Sequence, residues 1–229
     1  MQKSIHERLV ENQQFKKMAT ADVRYYDLVP RISKRAQGVW LWVYLVVRDL
    51  LRDRRDSEPY EQLVARLKSY PRELAAYYQV MMNRIDAIHK RESAQIMLLA
   101  LASPVHMSLF VLKHLSRWKD PDLISTTPQT PIDNEEVEAL YQQWLPRLQN
   151  RCRDLLQIGK LGYVRHTGCR YHVDFLHRTV RDFLFSKYQT TLRHHASEDF
   201  DEAFVQARAS IFMLKIAAVQ TYTRSSSRH

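Results

Sequence analysis

Apolar residues recur at intervals of three and four along most of this chain, the period of a helix with one buried face. Within residues 39–51, Trp40, Val43, Tyr44, Val47, Leu50 and Leu51 fall on one side, with Arg48, Asp49 and Arg52 on the other. Ser57-Glu58-Pro59 supplies a cap followed by proline in a first turn, and Leu63, Leu67 and Tyr70 carry a short second helix that Ser69-Tyr70-Pro71 closes. Leu74, Tyr77, Tyr78, Met81, Ile85 and Ile88 give the most regular helical stripe, in which Met81-Met82 reads as adaptable core packing. A fourth helix over residues 92–102 runs through Ile96, Leu99 and Ala100 and stops at Ser103-Pro104. Ser108 then caps a short helix carrying Leu109, Leu112 and Leu115. Residues 119–133 lose the period and gather Pro121, Pro128 and Pro131, which predicts a surface loop. Helix returns over residues 135–156 through Val137, Leu140, Trp144, Leu148 and Leu155, with a kink or split expected at Pro146, which lacks a backbone donor.

The pattern changes after Leu156. Gly159, Gly162 and Gly168 lie close together, and Tyr163-Val164-Arg165-His166 and Tyr171-His172-Val173-Asp174-Phe175 flank the turn-like Thr167-Gly168, which predicts a two-stranded hairpin. Helix resumes through Val180, Phe183, Leu184 and Tyr188, a last amphipathic helix is expected over about residues 199–219, and the polar end from Thr223 to His229 is expected to fray. The expected fold class is mainly α, a helical bundle followed by a winged-helix-like module with one β-hairpin. The expected organisation is a helical domain over residues 1–90, a winged-helix-like domain over 91–190, and a C-terminal helix and polar tail over 191–229.

Composition narrows the function classes. The 229 residues are 45% hydrophobic and 26% charged, which excludes a mainly disordered chain. Only 4 glycines are present, and no stretch reads Gly-x-x-x-x-Gly-Lys-Ser/Thr or Gly-x-Gly-x-x-Gly, so a self-contained P-loop NTPase or Rossmann dehydrogenase is excluded. The 2 cysteines are too few for a disulfide framework, and the first residues lack the apolar core of a signal peptide, so a cytoplasmic setting is expected. The longest apolar run, residues 39–47, is far short of the ~20 residues needed to span a bilayer. A net charge of +10 favours an anionic partner such as nucleic acid or an acidic lipid surface. The basic residues nevertheless alternate with acidic ones, as in Arg52-Asp53-Arg54-Arg55-Asp56, which is the pattern of solvated helix faces.

Candidate chemistry concentrates near one junction. His177 stands where a strand hands the chain to a helix, and there its ring N–H could meet a phosphate beside the helix N-terminus. Spacing alone favours the plainer role of a buried cap hydrogen-bonded to backbone. His166, Cys169 and His172 are spaced like metal ligands, with His177 as a conceivable fourth, but a zinc site usually joins paired ligands from two elements and only one cluster exists. Asp174 beside His172 and His177 resembles part of a triad. Strand alternation puts Asp174 and His172 on one face, yet no serine or cysteine is placed to attack, and Cys152 and Cys169 sit in no nucleophile signature. Trp40, Trp42 and Tyr44 near Lys34, Arg35 and Arg48 could stack single-stranded nucleic acid, although helical spacing favours core.

Three segments in order carry a family resemblance. Ile32-Ser33-Lys34-Arg35-Ala36-Gln37-Gly38-Val39-Trp40-Leu41-Trp42-Val43 is similar to an Ala-x-Gly-Val-Phe-Leu-Trp segment. Leu67, Pro71-x-x-Leu74, Tyr77 to Met82 and Arg84-Ile85-Asp86 follow a Leu-Pro-x-x-Leu, Tyr-x-x-Met-Leu and Arg-Ile-Asp succession. Phe175-Leu176-His177-Arg178-Thr179-Val180-Arg181-Asp182-Phe183-Leu184 is close to Phe-x-His-Arg-Thr-Val-Lys-Asp-Phe-Leu. Together these resemble the fungal NACHT-type signal-transduction ATPases, cousins of the animal NOD-like and plant resistance receptors, over about residues 32–187. The resemblance implies a small helical domain around Gly38 and a winged-helix region that clamps nucleotide at rest. It assigns His177 to the ADP phosphate and Gly38 to a turn that approaches the nucleotide. Val39 departs from the bulkier or proline-containing segment of many relatives, and Ser103-Pro104-Val105-His106 departs from Arg-Pro-Leu-Thr.

The family's phosphate-binding loop and magnesium-binding acidic strand lie upstream of this region and have no counterpart here. The implied role is therefore non-catalytic and regulatory, with no cofactor for this chain alone and ADP or ATP in a full-length relative. The implied partner is an upstream P-loop core or a related receptor chain. The rival reading is a basic winged-helix module that binds DNA, although residues 109–118, taken as its recognition helix, are mostly apolar. A third is a hydrolase built on His172, Asp174 and His177.

Overall fold

The computed structural model describes residues 2–11, 13–52, 59–126, 132–162 and 167–226, in two compact units, Met1–Val80 and Met81–His229. Among the described residues no helix is long and apolar enough to cross a membrane. The first unit contains α1 (Gln2–Glu11), α2 (Gln13–Ala21), α3 (Leu28–Ala36), α4 (Trp40–Arg52), α5 (Tyr60–Ser69) and the start of α6 (Leu74–Asn83). The first two helices lie in a stretch whose apolar periodicity is weak, yet Leu9, Phe15 and Ala19 are fully buried. Asp22 then caps a 3-10 turn by accepting from the Arg24 backbone N–H at 2.9 Å.

Helix α3 buries Leu28, Val29, Ile32 and Ala36 on one face. It ends through two consecutive left-handed residues, Gln37 at φ 48° and Gly38 at φ 88°. The conformation of Gly38 is one that a side chain disfavours, and it lets the Val39 N–H reach the Ala36 carbonyl at 2.8 Å before α4 begins. In α4, Trp42 is fully buried and its indole N–H donates to the Pro71 carbonyl at 2.6 Å. Trp40 is 49% exposed, so the aromatic trio is core only in part. In the alternative stacking reading Arg35 and Arg48 would flank the aromatics, but both are engaged elsewhere. Arg35 donates to the Tyr70 carbonyl at 2.7 Å, and Arg48 donates to the Tyr44 hydroxyl at 2.9 Å.

The second unit is organised around α7 (Lys90–Ala102), in which every residue from Ser93 to Ala100 is buried. It is followed by β1 (Met107–Ser108), α8 (Leu109–Lys113), α9 (Leu123–Thr126), α10 (Asn134–Cys152), β2 (Leu156–Lys160), β3 (Tyr171–Phe175), α11 (Arg178–Phe183), α12 (Gln189–Ala196) and α13 (Glu202–Ser226). A π-helical turn, Leu184–Tyr188, joins α11 to α12 without a break. Ser108 caps α8 as its sequence predicts, accepting from the Phe110 N–H at 3.2 Å.

Four sequence expectations change here. Pro146 does not split α10, which is one helix whose Val137, Leu140, Trp144, Leu148 and Cys152 bury one face on both sides of it. The same helix stops at Cys152, where Arg153 and Asp154 both turn left-handed at φ 48° and 62°, and Leu156 already belongs to a strand. The loop expected over residues 119–133 carries α9, anchored by buried Leu123. Helix α13 continues to Ser226, past the expected end and into the segment expected to fray.

The sheet is also larger than a hairpin. Its order is β1-β3-β2, all antiparallel, so the partner of β3 along its length is β2. Residues 163–166, expected as the first strand of the hairpin, lie outside the described residues. Helix α7, β1, α8, α10 and the β2-β3 hairpin, with β1 against β3, follow the helix-strand-helix-helix-hairpin order of a winged helix. The fold is thus mainly α with a small winged-helix-like sheet. Residues 109–118, taken as the recognition helix in the DNA-binding reading, bury Leu109, Phe110, Val111, Leu112 and Leu115.

One buried base reports on this core. His114 is 8% exposed, its ring lies 5.3 Å from Phe110 and 4.4 Å from Phe212, and its Nε2 has no hydrogen-bond partner among the described residues. Burial first, then the positive charges of Lys113, Arg117 and Arg208, push its pKa down from 6.5 to about 4. A folded pKa below the unfolded one means that the unfolded chain binds the proton first as pH falls. Stability present above pH 6.5 is therefore lost between about pH 6.5 and 4, by up to about 3 kcal/mol for this group. Denaturation midpoints of the wild type and His114→Phe at pH 7 and 4.5 check this, with a shallower pH dependence expected for the variant. Parallel losses in the two proteins would refute it.

Candidate functional site: a histidine and carboxylate cluster on the sheet

Alternation along β3 sends Tyr171 and Val173 into the core and leaves His172 and Asp174 on the opposite face. The buried side is fixed by Tyr171, whose ring stacks on Tyr141 at 4.5 Å and whose hydroxyl donates to Glu138 at 2.7 Å. Val173 pairs with Met107 of β1 and Ile158 of β2, again toward the interior. In the next row His172 stands between Ser108 and Gly159. Continuing the β1-β3 register one step outward brings His106 across from Asp174.

The result is a cluster from two distant segments. The Nδ1 of His106 lies 3.1 Å from Oδ2 of Asp174, and the rings of His106 and His172 are 4.5 Å apart. One donor atom from each of His106, His172 and Asp174 lies within 4.8 Å of the others. Asp174 is further fixed by its own chain, since Oδ1 accepts from the Phe175 N–H at 2.7 Å. The Nδ1 of His172 is shielded from solvent and has no hydrogen-bond partner among the described residues. Burial first, then the neighbouring His106, holds the His172 pKa below its usual value, and Asp174 opposes them.

Gly159 explains how the His172 ring fits. A Cβ on Gly159 would stand 2.5 Å from both Cε1 and Nε2 of that ring, closer than atoms can approach. The ring therefore lies in the space that the missing side chain leaves. Ser108, the other neighbour in the row, is engaged as a cap and donates to the Gly168 carbonyl at 3.3 Å, so it supplies no poised nucleophile.

The sequence-derived candidates are distributed differently. His172 and Asp174 do share a face, but His177 is not in their cluster. It caps α11, with Nδ1 accepting from the Thr179 N–H at 3.3 Å and 3.0 Å from Thr179 Oγ1. The cap is exposed, whereas the plainer sequence reading had it buried. Cys169 is likewise outside the cluster, and His166 is outside the described residues, so the expected ligand set is not brought together among the described residues. Cys152 is fully buried and Cys169 half-buried, and burial pushes both thiols up, away from the thiolate a nucleophile needs. Gly38 belongs to the first unit and His177 to the second.

Sequence reasoning missed His106 as a partner of β3. Its only local signal is that it precedes the Met107-Ser108 pair, and a two-residue strand leaves no alternation to read. The packing of His172 over Gly159 yields a direct expectation. Gly159→Ala moves the far end of a side chain and not the backbone, so the fold persists while the His172 ring leaves its position. Two-dimensional NMR should show shifted His172 and His106 ring resonances with unchanged far-ultraviolet circular dichroism. Unshifted ring resonances would mean that the glycine does not hold the ring.

Comparison with known proteins supplies a family and no described activity. No curated protein and no solved structure matches the chain. A family model described as Domain of unknown function (DUF7791) matches residues 84–226, which include α7, the sheet and the cluster on its face. That span is more than half of the chain, and the chain belongs to the DUF7791 family.

Proposed function

We propose that this chain is the non-catalytic regulatory portion of a NACHT-type signalling switch, a helical and winged-helix segment that retains ADP in the resting state and contacts a P-loop core or a related receptor chain. The observation that carries the reading is the geometry of His177 within Phe175-Leu176-His177-Arg178-Thr179. With Nδ1 accepting from the Thr179 N–H, the neutral ring carries its hydrogen on Nε2, and the ring is exposed at the start of a helical run that continues through α12. A donor beside the positive end of that run suits a phosphate. Gly38 enters this reading through the family resemblance alone, as the left-handed turn residue between α3 and α4. Such a segment biases a switch only if its contacts differ between the ADP and ATP states.

The DNA-binding reading rests on net charge and on the winged-helix order, and the charge of α10 weighs against it. That helix begins with Glu135, Glu136 and Glu138, and its Arg147 and Arg151 both pair with Glu92 of α7. A steep loss of duplex affinity with rising salt would favour that reading instead.

His177→Ala in a protein that carries this segment behind a P-loop core should weaken ADP retention about 10- to 100-fold, the worth of one hydrogen bond to a charged group. Bound nucleotide, extracted and quantified from the purified wild type and variant, is the measurement. Equal ADP occupancy in the two would overturn the assignment.

A further inference from the structure

We propose that His106, His172 and Asp174 form a binding site for one divalent first-row transition-metal ion, with zinc as the occupant that the donor set fits. Two imidazoles and one carboxylate are a donor set suited to zinc, and three protein ligands leave a fourth position for water or another donor. The donor atoms already lie within 4.8 Å of one another, and the His106–Asp174 pair is 3.1 Å apart. Around zinc, bonds of about 2.1 Å in a tetrahedron separate neighbouring ligand atoms by about 3.4 Å. Reaching that spacing from the present one requires the His106 and Asp174 side chains, 44% and 39% exposed, to rotate toward His172.

The scaffold is independent of any ion. His172 and Asp174 are fixed two residues apart on one strand face, and the register of β1 supplies His106 from across the sheet. Gly159 leaves room for the His172 ring. Among the described residues the His106–Asp174 contact alone leaves the His172 Nδ1 without a partner, a state that buried polar atoms rarely keep. It also places the two imidazole rings on one face of the sheet with their centroids 4.5 Å apart. His106 and Asp174 have side chains 44% and 39% exposed, so an ion has access from solvent.

Equilibrium dialysis of the full chain against zinc, with cobalt(II) absorption as an independent readout of geometry, tests the site. One ion per chain is expected, with visible cobalt bands of tetrahedral or five-coordinate intensity. His106→Ala alters a half-exposed side chain outside the regular strands, and Asp174→Asn keeps the acceptor for the Phe175 N–H. Each should weaken binding at least as much as the loss of an outer-shell partner, about 10- to 100-fold, with unchanged circular dichroism. Cys169→Ser and His177→Ala should bind as the wild type does. Absence of stoichiometric binding overturns the proposal, as does binding that survives both ligand variants or that is lost with Cys169 or His177. The test is separate from that of ADP retention, because His177 is not a ligand here.

Discussion

The burial of α7 on all its faces is the constraint from which the second unit follows. A helix whose residues 93–100 are all inaccessible must be enclosed, and α10, α12, α13 and β3 enclose it. Enclosure brings polar side chains along, and each needs a partner in the interior. Gln95 donates to the Ala196 carbonyl at 3.0 Å, at the end of α12. Gln206 of α13 donates to the Leu99 carbonyl and to Ser103 Oγ, both at 2.9 Å. Glu92, at the start of α7, meets Arg151 at 2.7 Å and also Arg147. Three helices are thus oriented by polar contacts that only one packing geometry satisfies, whereas apolar contact alone would tolerate rotation.

The small sheet depends on the same helix. Strands of two and five residues form no stable sheet by themselves, and here Met107, Tyr171 and Val173 are buried against the helical layer. Once that face is committed, the pleat gives the other face to His172 and Asp174, and the register gives it His106. The cluster is therefore a consequence of core packing, and a one-residue slip of β3 would send both His172 and Asp174 inward.

Legibility in the sequence followed the range of the interactions. Helix α4 and the first turns of α6 were readable because their periodicity is local, whereas the stripe expected to run on through Ile85 and Ile88 outruns α6, which ends at Asn83 and leaves Ile88 83% exposed. The end of α10 was not readable, because Leu155 and Leu156 continue its apolar spacing and only left-handed turns at Arg153 and Asp154 divert the chain. Those turns are held without glycine, so the usual signal for a helix stop is missing. The shared face of His172 and Asp174 follows from alternation and was legible. The participation of His106 was not, since it depends on pairing between segments far apart in sequence. Leu9, Phe15 and Ala19 show a related limit, for three buried residues in two short helices give too few repeats to establish a period.

Strand β3 and the turn after it carry two groups of polar side chains that stand close together in the sequence. His172, Asp174 and His177 lie within six positions, and on spacing alone they invite assignment to a single triad or ligand set. The backbone separates them. His172 and Asp174 remain on the sheet, where Asp174 accepts from the Phe175 N–H with one oxygen and meets His106 with the other. Beyond Phe175 the chain leaves the sheet, and the Leu176 N–H donates to the Leu155 carbonyl at 2.9 Å. His177 is then extended at φ −158° and commits its Nδ1 to the Thr179 N–H, which fixes the ring as the first cap of a new helix. A residue committed to that cap cannot also turn its Nδ1 toward the sheet without releasing the helix end. Any role for His177 therefore works through its exposed edge, and any role for His172 and Asp174 works through His106.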